Sequence, residues 1–329
     1  MICLGIETSC DETAAALVTA EGQVLGSVVA SQIDLHEAFG GVVPEVAARR
    51  HLERLSPTVQ RAIEEAGIGP EEIGLVAVTR GPGLAGALMV GLSFAKAYAF
   101  ARGLPLVGVN HVVAHAYAAF LGAEVRYPEL ALVASGGHTV LLQLRGPQDA
   151  LVLGRSRDDA AGEAFDKVAR ALGLGYPGGP LIEAIAREGD PLRCPLPVVR
   201  PIEGSLDFSF SGLKTAAQQR FLAGEGPADV AAAFQEAVLA QFLSRTRVAI
   251  ERLGARRLVF AGGVSANGFL RERLAQALAP LGVELVAPPM HFSTDNAAMI
   301  ARLGLALYAA GERAPRELNA EPVIHPFKP

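Results

Sequence analysis

The stretch that decides the fold is "MICLGIETSCDETAAALVTAEGQVLGSVVAS", residues 1–31. It predicts a strand, a turn of small and acidic residues, a second strand and, after another turn, a third strand, because short apolar runs alternate with polar breaks. The same order recurs in "ELALVASGGHTVLLQLRGPQDALVLGRS", residues 129–156, with a glycine turn in place of the acidic one. The same order of strands and turns therefore occurs twice in the chain, which indicates an internal repeat.

Each set of three strands is followed by the same further elements. An amphipathic helix, a strand, a glycine turn and a second helix follow at residues 44–101, and the same order returns at residues 228–282. This pattern predicts an α/β protein of two domains, at residues 1–109 and 110–295, and the second carries an insertion at about 157–226. Two such halves that face each other would place their turns around a central cleft.

Composition limits the function classes. The chain has 329 residues and a net charge of −5, so no global positive field favours nucleic acid or an anionic membrane. Three cysteines, Cys3, Cys10 and Cys194, have no metal-like spacing and suit a reducing compartment. We expect a cytoplasmic protein without a signal peptide. The apolar segment 84–101 contains Ser93 and Lys96 and is predicted to be a buried helix, not a membrane span.

Two kinds of turn could carry chemistry. Asp11 and Glu12 in the opening turn could act as a base or as electrostatic groups, or they could be solvated hairpin residues. The glycine turns "ASGGHT" (134–139) and "AGGVSAN" (261–267) could bind a phosphate through backbone N–H groups, although short glycine turns are common. Neither turn has the spacing of a P-loop or of a dinucleotide fingerprint.

A metal site is predicted around "NHVVAH". His111 and His115 are four residues apart and share one face of a helix, and Asp295 near a late helix supplies a third ligand. The alternatives are one packed and one exposed histidine, and a helix-capping role for Thr294 or Asp295. Val112 stands where a zinc protease has its glutamate, so protease chemistry lacks its base.

The insertion contains a further cluster. "AGEAFDK" places Glu163, Asp166 and Lys167 on a predicted helix, which could simply be a solvated charged face. That explanation does not account for Gly178 and Gly179 in the rigid "YPGGP" turn. An insertion of this length is more often functional than accidental.

Taken together, ten stretches resemble one family, the bacterial tRNA N6-adenosine threonylcarbamoyltransferases. They are "GIETSCDET", "GGVVPEVAAR", "GPGLAGAL", "NHVVAH", "SGGHT", "DDAAGEAFDK", "YPGGP", "DFSFSGLKT", "AGGVSAN" and "STDNAAMIA", and they cover nearly the whole chain. The resemblance implies a duplicated fold like that of actin, Hsp70 and sugar kinases (the ASKHA fold), with a C-terminal helix at about 296–329 completing the first domain.

The resemblance also implies a reaction: transfer of a threonylcarbamoyl group from threonylcarbamoyl-AMP to N6 of adenine 37 in tRNAs that read ANN codons. One Fe²⁺ or Zn²⁺ ion would match His111, His115 and Asp295, and Asp11 and Glu12, supported by Thr8 and Ser9, match positions implicated in transfer. Contacts to the adenylate would match Val133, Ala134, Ser135, Gly136, Gly137, Asp166, Gly179, Glu183 and Asn267.

The family further implies tRNA as substrate, an adenine nucleotide as a further ligand, and two partners: a paralogue that lacks the metal site and a small ATPase. One departure is the tail "LNAEPVIHPFKP", which lacks the basic, tryptophan-containing ending of relatives. Two alternatives come from other functional classes: a small-molecule kinase of the same fold, and a nucleotide-switched, chaperone-like protein. The histidine pair argues against the kinase, because phosphoryl transfer normally relies on magnesium held by oxygen ligands.

Overall fold

A computed structural model describes residues 1–37, 41–197, 204–315 and 317–323. The chain divides into two compact units. The first contains residues 1–127, 145–150 and 295–329, and the second contains residues 128–144 and 151–294. The predicted domain boundaries at residues 109 and 295 stay predictions. The tail residues 324–329 and part of the insertion, residues 198–203, lie outside the described residues.

Ten strands and ten α-helices lie in the described part of the chain. The strands are β1 (Ile2–Glu7), β2 (Glu12–Thr19), β3 (Val24–Ser31), β4 (Ile73–Gly81), β5 (Leu106–Asn110), β6 (Glu129–Ala134), β7 (Thr139–Gly146), β8 (Asp149–Arg155), β9 (Arg257–Ala261) and β10 (Glu284–Val286). The helices are α1 (Ile33–Glu37), α2 (Pro44–Ala66), α3 (Ala85–Arg102), α4 (His111–Ala118), α5 (Ala161–Ala171), α6 (Gly178–Ala186), α7 (Ser211–Leu222), α8 (Pro227–Leu253), α9 (Gly268–Leu278) and α10 (Ala297–Ala309). Short 3-10 helices lie at Pro70–Glu72, Gly263–Ala266, Ala279–Leu281 and Met290–Phe292.

The first unit is built on a five-stranded sheet in the order β3-β2-β1-β4-β5. β1 pairs antiparallel with β2 and parallel with β4. Successive side chains of β1 point to opposite faces. Leu4 and Ile6 join the core that α2 and α3 cover. Gly5 faces α10 so closely that a Cβ there would lie 2.2 Å from the carbonyl oxygen of Ala297. The absence of a side chain at Gly5 therefore lets α10 rest directly on β1.

The second unit repeats this arrangement. Its sheet has the order β10-β9-β6-β7-β8, in which β6 pairs antiparallel with β7 and parallel with β9. Each sheet thus carries its first strand in the centre, with the hairpin strands on one side and the parallel strands on the other. The duplicated α/β fold predicted from residues 1–31 and 129–156 is confirmed.

The insertion folds onto the second unit as helices α5, α6 and α7. Its buried phenylalanines, Phe165, Phe208 and Phe210, make edge-on ring contacts with Phe234 and Phe242 of α8. Apolar burial of this kind, at about 25 cal/mol per Å² of covered apolar surface, anchors the insertion to the core. The insertion is therefore an integral part of the domain and not a loose loop.

The apolar segment 84–101 forms α3, which covers one face of the first sheet. Among the described residues, none of the helices combines the length and the hydropathy that a membrane span requires. Lys96 of α3 donates its Nζ to the carbonyl oxygen of Leu318 at 2.7 Å, which holds residues 317–323 against this helix.

Candidate functional site

The two predicted histidine ligands lie at the start of α4, directly after β5. The side chain of Asn110 caps this helix by accepting a hydrogen bond from the backbone N–H of Val113 at 3.1 Å. One turn separates the histidines, whose ring centroids lie 4.7 Å apart. His111 is 6% exposed and His115 is 1% exposed, so the alternative of one packed and one exposed histidine is wrong.

The third predicted ligand, Asp295, lies two residues before α10. The helix cap is Asn296, whose Oδ1 accepts from the backbone N–H of Met299 at 3.0 Å. The alternative in which Thr294 or Asp295 caps the helix is therefore wrong. Asp295 instead directs Oδ1 to 3.2 Å from Nε2 of His115 and 3.6 Å from Nε2 of His111.

This arrangement fits a metal ion. One ligand atom from each of His111, His115 and Asp295 lies within 4.8 Å of the others, and no second group of this kind was found among the described residues. The distances of 3.2 Å and 3.6 Å from Oδ1 of Asp295 to the two Nε2 atoms are compatible with ligand bonds of about 2.0–2.2 Å to a common centre. Both ring nitrogens of His115 are buried and make no hydrogen bond within the described part of the chain. A buried imidazole whose nitrogens make no hydrogen bond is costly unless something else, such as an ion shared with Asp295, satisfies them.

A fourth residue, Glu7, was not predicted. It is fully buried at the end of β1, and its Oε2 lies 2.8 Å from Nδ1 of His111. Burial opposes the charged form of His111, but the negative charges of Asp295 and Glu7 outweigh burial and raise the pKa of His111 to about 9. A lone acidic residue that ends an otherwise apolar strand was the only signal for Glu7 in the sequence.

The acidic turn between β1 and β2 lies in the same unit. Asp11 is 8% exposed, and Glu12 accepts a hydrogen bond from the hydroxyl of Ser31 at 3.3 Å. Burial, the charge of Asp295 and then that of Asp11 raise the pKa of Glu12 to about 10. Burial first, and then the two neighbouring carboxylates, thus favour the neutral form of Glu12.

A buried histidine holds the acidic turn in place. His51 of α2 donates Nε2–H to the carbonyl oxygen of Cys10 at 2.9 Å, so its Nδ1 accepts from the hydroxyl of Thr13 at 2.8 Å. Burial lowers the pKa of His51 and favours this neutral form. Of the two predicted supporting residues, Thr8 donates to the carbonyl oxygen of Ala87 and Ser9 lies 3.2 Å from Nδ1 of His111.

The predicted donor-binding turns lie in the second unit, at the ends of the adjacent parallel strands β6 and β9. Gly262 has φ +88°, and a Cβ there would lie 2.4 Å from the carbonyl oxygen of Ala134, so the two turns are packed against each other. Gly136 and Gly137 are exposed with open space around them. Val133 and Ala134 have buried side chains, so only their backbone could contact a ligand.

The other five predicted substrate residues are also in the second unit, and four of their side chains make defined hydrogen bonds. Oγ of Ser135 accepts from the backbone N–H of His138 at 3.1 Å. Asp166 accepts from the backbone N–H of Gly178 at 2.7 Å, and Glu183 accepts from that of Gly268 at 3.1 Å. Asn267 caps α9 and donates to Oε1 of Gln235 at 2.7 Å. Glu183, Gln235 and Gly268 line a cavity of about 650 Å³. Gly179 is partly exposed, with open space where a side chain would be.

The charged residues of the insertion are largely structural. Asp158 accepts hydrogen bonds from the side chains of Ser209 and Ser211 and from two backbone N–H groups at the start of α7. Asp159 bridges Lys167 at 2.8 Å and Lys214 at 2.7 Å. The alternative of a merely solvated face for the carboxylates is incomplete, because Glu163 pairs with Lys167 at 2.7 Å and Asp166 accepts from the backbone N–H of Gly178. The ion pair of Asp159 with Lys214 joins "DDAAGEAFDK" to "DFSFSGLKT".

Comparison with known proteins gives consistent matches. The model of the TsaD family, described as tRNA N6-adenosine threonylcarbamoyltransferase, matches residues 23–302. A protein of that name from Symbiobacterium thermophilum is 54% identical over 326 residues, covering 97% of this chain and 95% of the relative. Another from Geobacillus thermodenitrificans is 52% identical over 329 residues, with coverage of 97% and 95%.

Two solved structures share the fold at low sequence identity. Component A of (R)-2-hydroxyglutaryl-CoA dehydratase from Acidaminococcus fermentans aligns with a TM-score of 0.56 and 16% identity, covering 94% of this chain and 97% of that chain. HypF from T. kodakarensis aligns with a TM-score of 0.64 and 14% identity, covering 94% of this chain and 48% of that chain. At these identities the likeness concerns the fold alone.

Proposed function

This chain belongs to the tRNA N6-adenosine threonylcarbamoyltransferase family, and from that premise we propose that it transfers threonylcarbamoyl from threonylcarbamoyl-AMP to N6 of adenine 37 in tRNAs that read ANN codons. The observation that carries the proposal is the convergence of His111, His115 and Asp295, whose ligand atoms lie within 4.8 Å of one another. A small-molecule kinase would need oxygen ligands for magnesium, which this histidine-rich group does not offer.

The metal centre would hold the threonyl end of the donor. His111, His115 and Asp295 would bind Fe²⁺ or Zn²⁺, and both metals accept imidazole and carboxylate ligands. A bound ion of this kind supplies open coordination positions and Lewis acidity. The histidines are buried, which keeps them in place for repeated binding of the donor.

The glycine turns of the second unit would hold the phosphate of the donor. Gly136 and Gly137 leave the backbone N–H groups of the first turn open to an anion. The 650 Å³ cavity beside Glu183 and Gln235 is large enough for a nucleoside. An adenine nucleotide as a further ligand would use the same groups. Holding AMP firmly matters because AMP is the leaving group of a mixed anhydride.

Asp11 would receive or orient the proton of the attacking adenine amine. Glu12 is the second candidate for this role, but its pKa of about 10 leaves it protonated and able to donate rather than accept. His51 braces the carbonyl of Cys10 next to Asp11, which keeps the carboxylate in position. Because the amine proton is transferred only as the new bond forms, the carboxylate of Asp11 would stabilise mainly the transition state.

Partner proteins would supply what this chain lacks. A net charge of −5 gives little attraction to a polyanion, so tRNA would bind well only after a paralogue without the metal site and a small ATPase complete a basic surface in the cytoplasm. Helix α3 exposes Met89 by 60% and Phe100 by 81%, which suits an apolar docking face.

Metal analysis tests the proposed centre. The double variant His111→Ala, His115→Ala should lose the ion and bind preformed threonylcarbamoyl-AMP more weakly, while His291→Ala, an exposed histidine outside the centre, should retain both properties. Metal content is measured by mass spectrometry of the purified proteins and donor affinity by calorimetry. Equal metal occupancy in the wild type and the double variant would reject these ligands.

A further inference from the structure

We propose that Glu7 is a positioning residue for the metal centre: its carboxylate holds Nδ1–H of His111, so that Nε2 is the ring atom that faces the ion. The inference rests on the metal site proposed above and adds a residue that does not itself touch the ion. Such a carboxylate behind a ligating histidine fixes the tautomer and the ring orientation.

The first step is the identity of the protonated ring atom. An ionised carboxylate can only accept hydrogen bonds, and Oε2 of Glu7 lies 2.8 Å from Nδ1 of His111. The proton between them therefore belongs to Nδ1. The other ring nitrogen, Nε2, is the one that lies 3.6 Å from Oδ1 of Asp295. With its proton held on Nδ1, His111 would offer the lone pair of Nε2 to an ion.

The second step is that Glu7 is itself held. The hydroxyl of Thr79 on β4 donates to Oε2 of Glu7 at 2.7 Å, and the backbone N–H of Ser9 donates to Oε1. Both carboxylate oxygens are therefore occupied, and the side chain is fully buried. Thr79, the backbone of Ser9 and His111 all present hydrogen-bond donors to this carboxylate, and such donors favour its ionised form.

The third step is charge. A divalent ion held by two imidazoles and Asp295 would bring positive charge into a buried place, and the carboxylate of Glu7, which lies 2.8 Å from Nδ1 of His111, would help to offset it. His115 differs, because neither of its ring nitrogens has a hydrogen bond among the described residues. His115 faces Oδ1 of Asp295 at 3.2 Å without a hydrogen bond, whereas the hydrogen bond to Glu7 gives the ring of His111 a defined direction.

The test compares Co²⁺ and Zn²⁺ affinities of purified protein by competition with a chelator. Glu7→Gln keeps the shape and removes the charge, and it should weaken metal affinity by about 10–100-fold. Leu55→Ala, which opens the buried core of the same unit away from the centre, controls for lost stability and should keep the affinity of the folded protein. In a His111→Ala background, Glu7→Gln should cause no further loss, because Glu7 acts through His111.

The results that would refute the role of Glu7 differ from the result that would refute the proposed metal centre. The role of Glu7 would be refuted if the wild type and Glu7→Gln bound the metal equally tightly. It would also be refuted if Glu7→Gln weakened metal binding as much in the His111→Ala protein as in the wild type. A wild-type protein that binds no metal would instead contradict the proposed centre. If Glu7→Gln fails to fold, nitrogen NMR of histidine-labelled, zinc-loaded wild type decides: Nδ1 of His111 should be protonated and Nε2 metal-bound, and the reverse assignment refutes the inference.

Discussion

The substitution Gly5→Ala tests whether the packing of α10 against β1 positions the proposed metal centre. The new Cβ would lie 2.2 Å from the carbonyl oxygen of Ala297 and 2.8 Å from the backbone nitrogen of Ala301. Both are backbone atoms of α10, so no side-chain rotation relieves the clash. Asp295 lies two residues before this helix, and Glu7 lies two residues after Gly5 on the same face of β1.

The magnitude follows from these distances. A carbon approaches a carbonyl oxygen to about 3.3 Å at closest, so α10 and β1 must separate by about 1 Å. Overpacking of this kind costs about 1–3 kcal/mol, and in a chain of this size we expect a melting temperature lower by several degrees. Metal ligands tolerate displacements of only about 0.2 Å, so the shift of Asp295 should weaken metal binding at least tenfold.

The assay pairs thermal unfolding, followed by circular dichroism, with Zn²⁺ affinity measured by chelator competition. Gly146→Ala is the matched control, because nothing lies within 4 Å of a Cβ at that glycine, and both properties should stay at the wild-type level. If Gly5→Ala melts and binds Zn²⁺ like the wild type, α10 does not position the centre through this contact and the reasoning fails.

Three further predictions concern charge and catalysis. The pKa of Glu12 is about 10 in the folded protein and ordinarily 4.5, so between these pH values the folded state keeps a proton that the unfolded chain releases. The free energy of unfolding of the protein without added metal should therefore fall with rising pH in this range, by up to about 1.4 kcal/mol per pH unit. Urea unfolding at several pH values should show this slope for the wild type and a flatter one for Glu12→Gln. Asp11→Ala should leave the affinity for threonylcarbamoyl-AMP nearly unchanged and reduce transfer on the order of 10²–10⁴-fold, so transfer at the wild-type rate would refute its role. The isolated chain should bind tRNA weakly at physiological salt in filter binding, and tight binding would contradict the need for partners that follows from its charge of −5.

Much of the fold could be predicted because it depends on local patterns. Alternating apolar runs and turns mark each strand, and the repeat of that order at residues 129–156 indicates the duplication. The three candidate metal ligands could also be proposed from the sequence, since His111 and His115 share a helix face. Their mutual distances and the nearness of Asp295 were not, because they depend on a contact between β1 and α10 that no local pattern encodes.

The residues that sequence reasoning missed act at long range. Glu7 meets His111 across 104 positions of the chain, and His51 meets Cys10 across 41. The cap at Asn296 was missed for a different reason. Three consecutive residues, Thr294, Asp295 and Asn296, are all good caps, and only the backbone conformation decides which of them serves.

The central claim is that this chain makes threonylcarbamoyladenosine in tRNA, and one measurement tests it most directly. Unmodified tRNA and preformed threonylcarbamoyl-AMP are added to a bacterial extract that has lost its own family member and therefore supplies the partner proteins. Mass analysis of the tRNA nucleosides should show the modified adenosine when metal-loaded wild-type protein is present, and not with Asp11→Ala. If the tRNA stays unmodified in the presence of the folded, metal-loaded wild-type protein, the claim is contradicted. Phosphorylation of a small metabolite from ATP by the purified wild-type protein would establish the kinase instead.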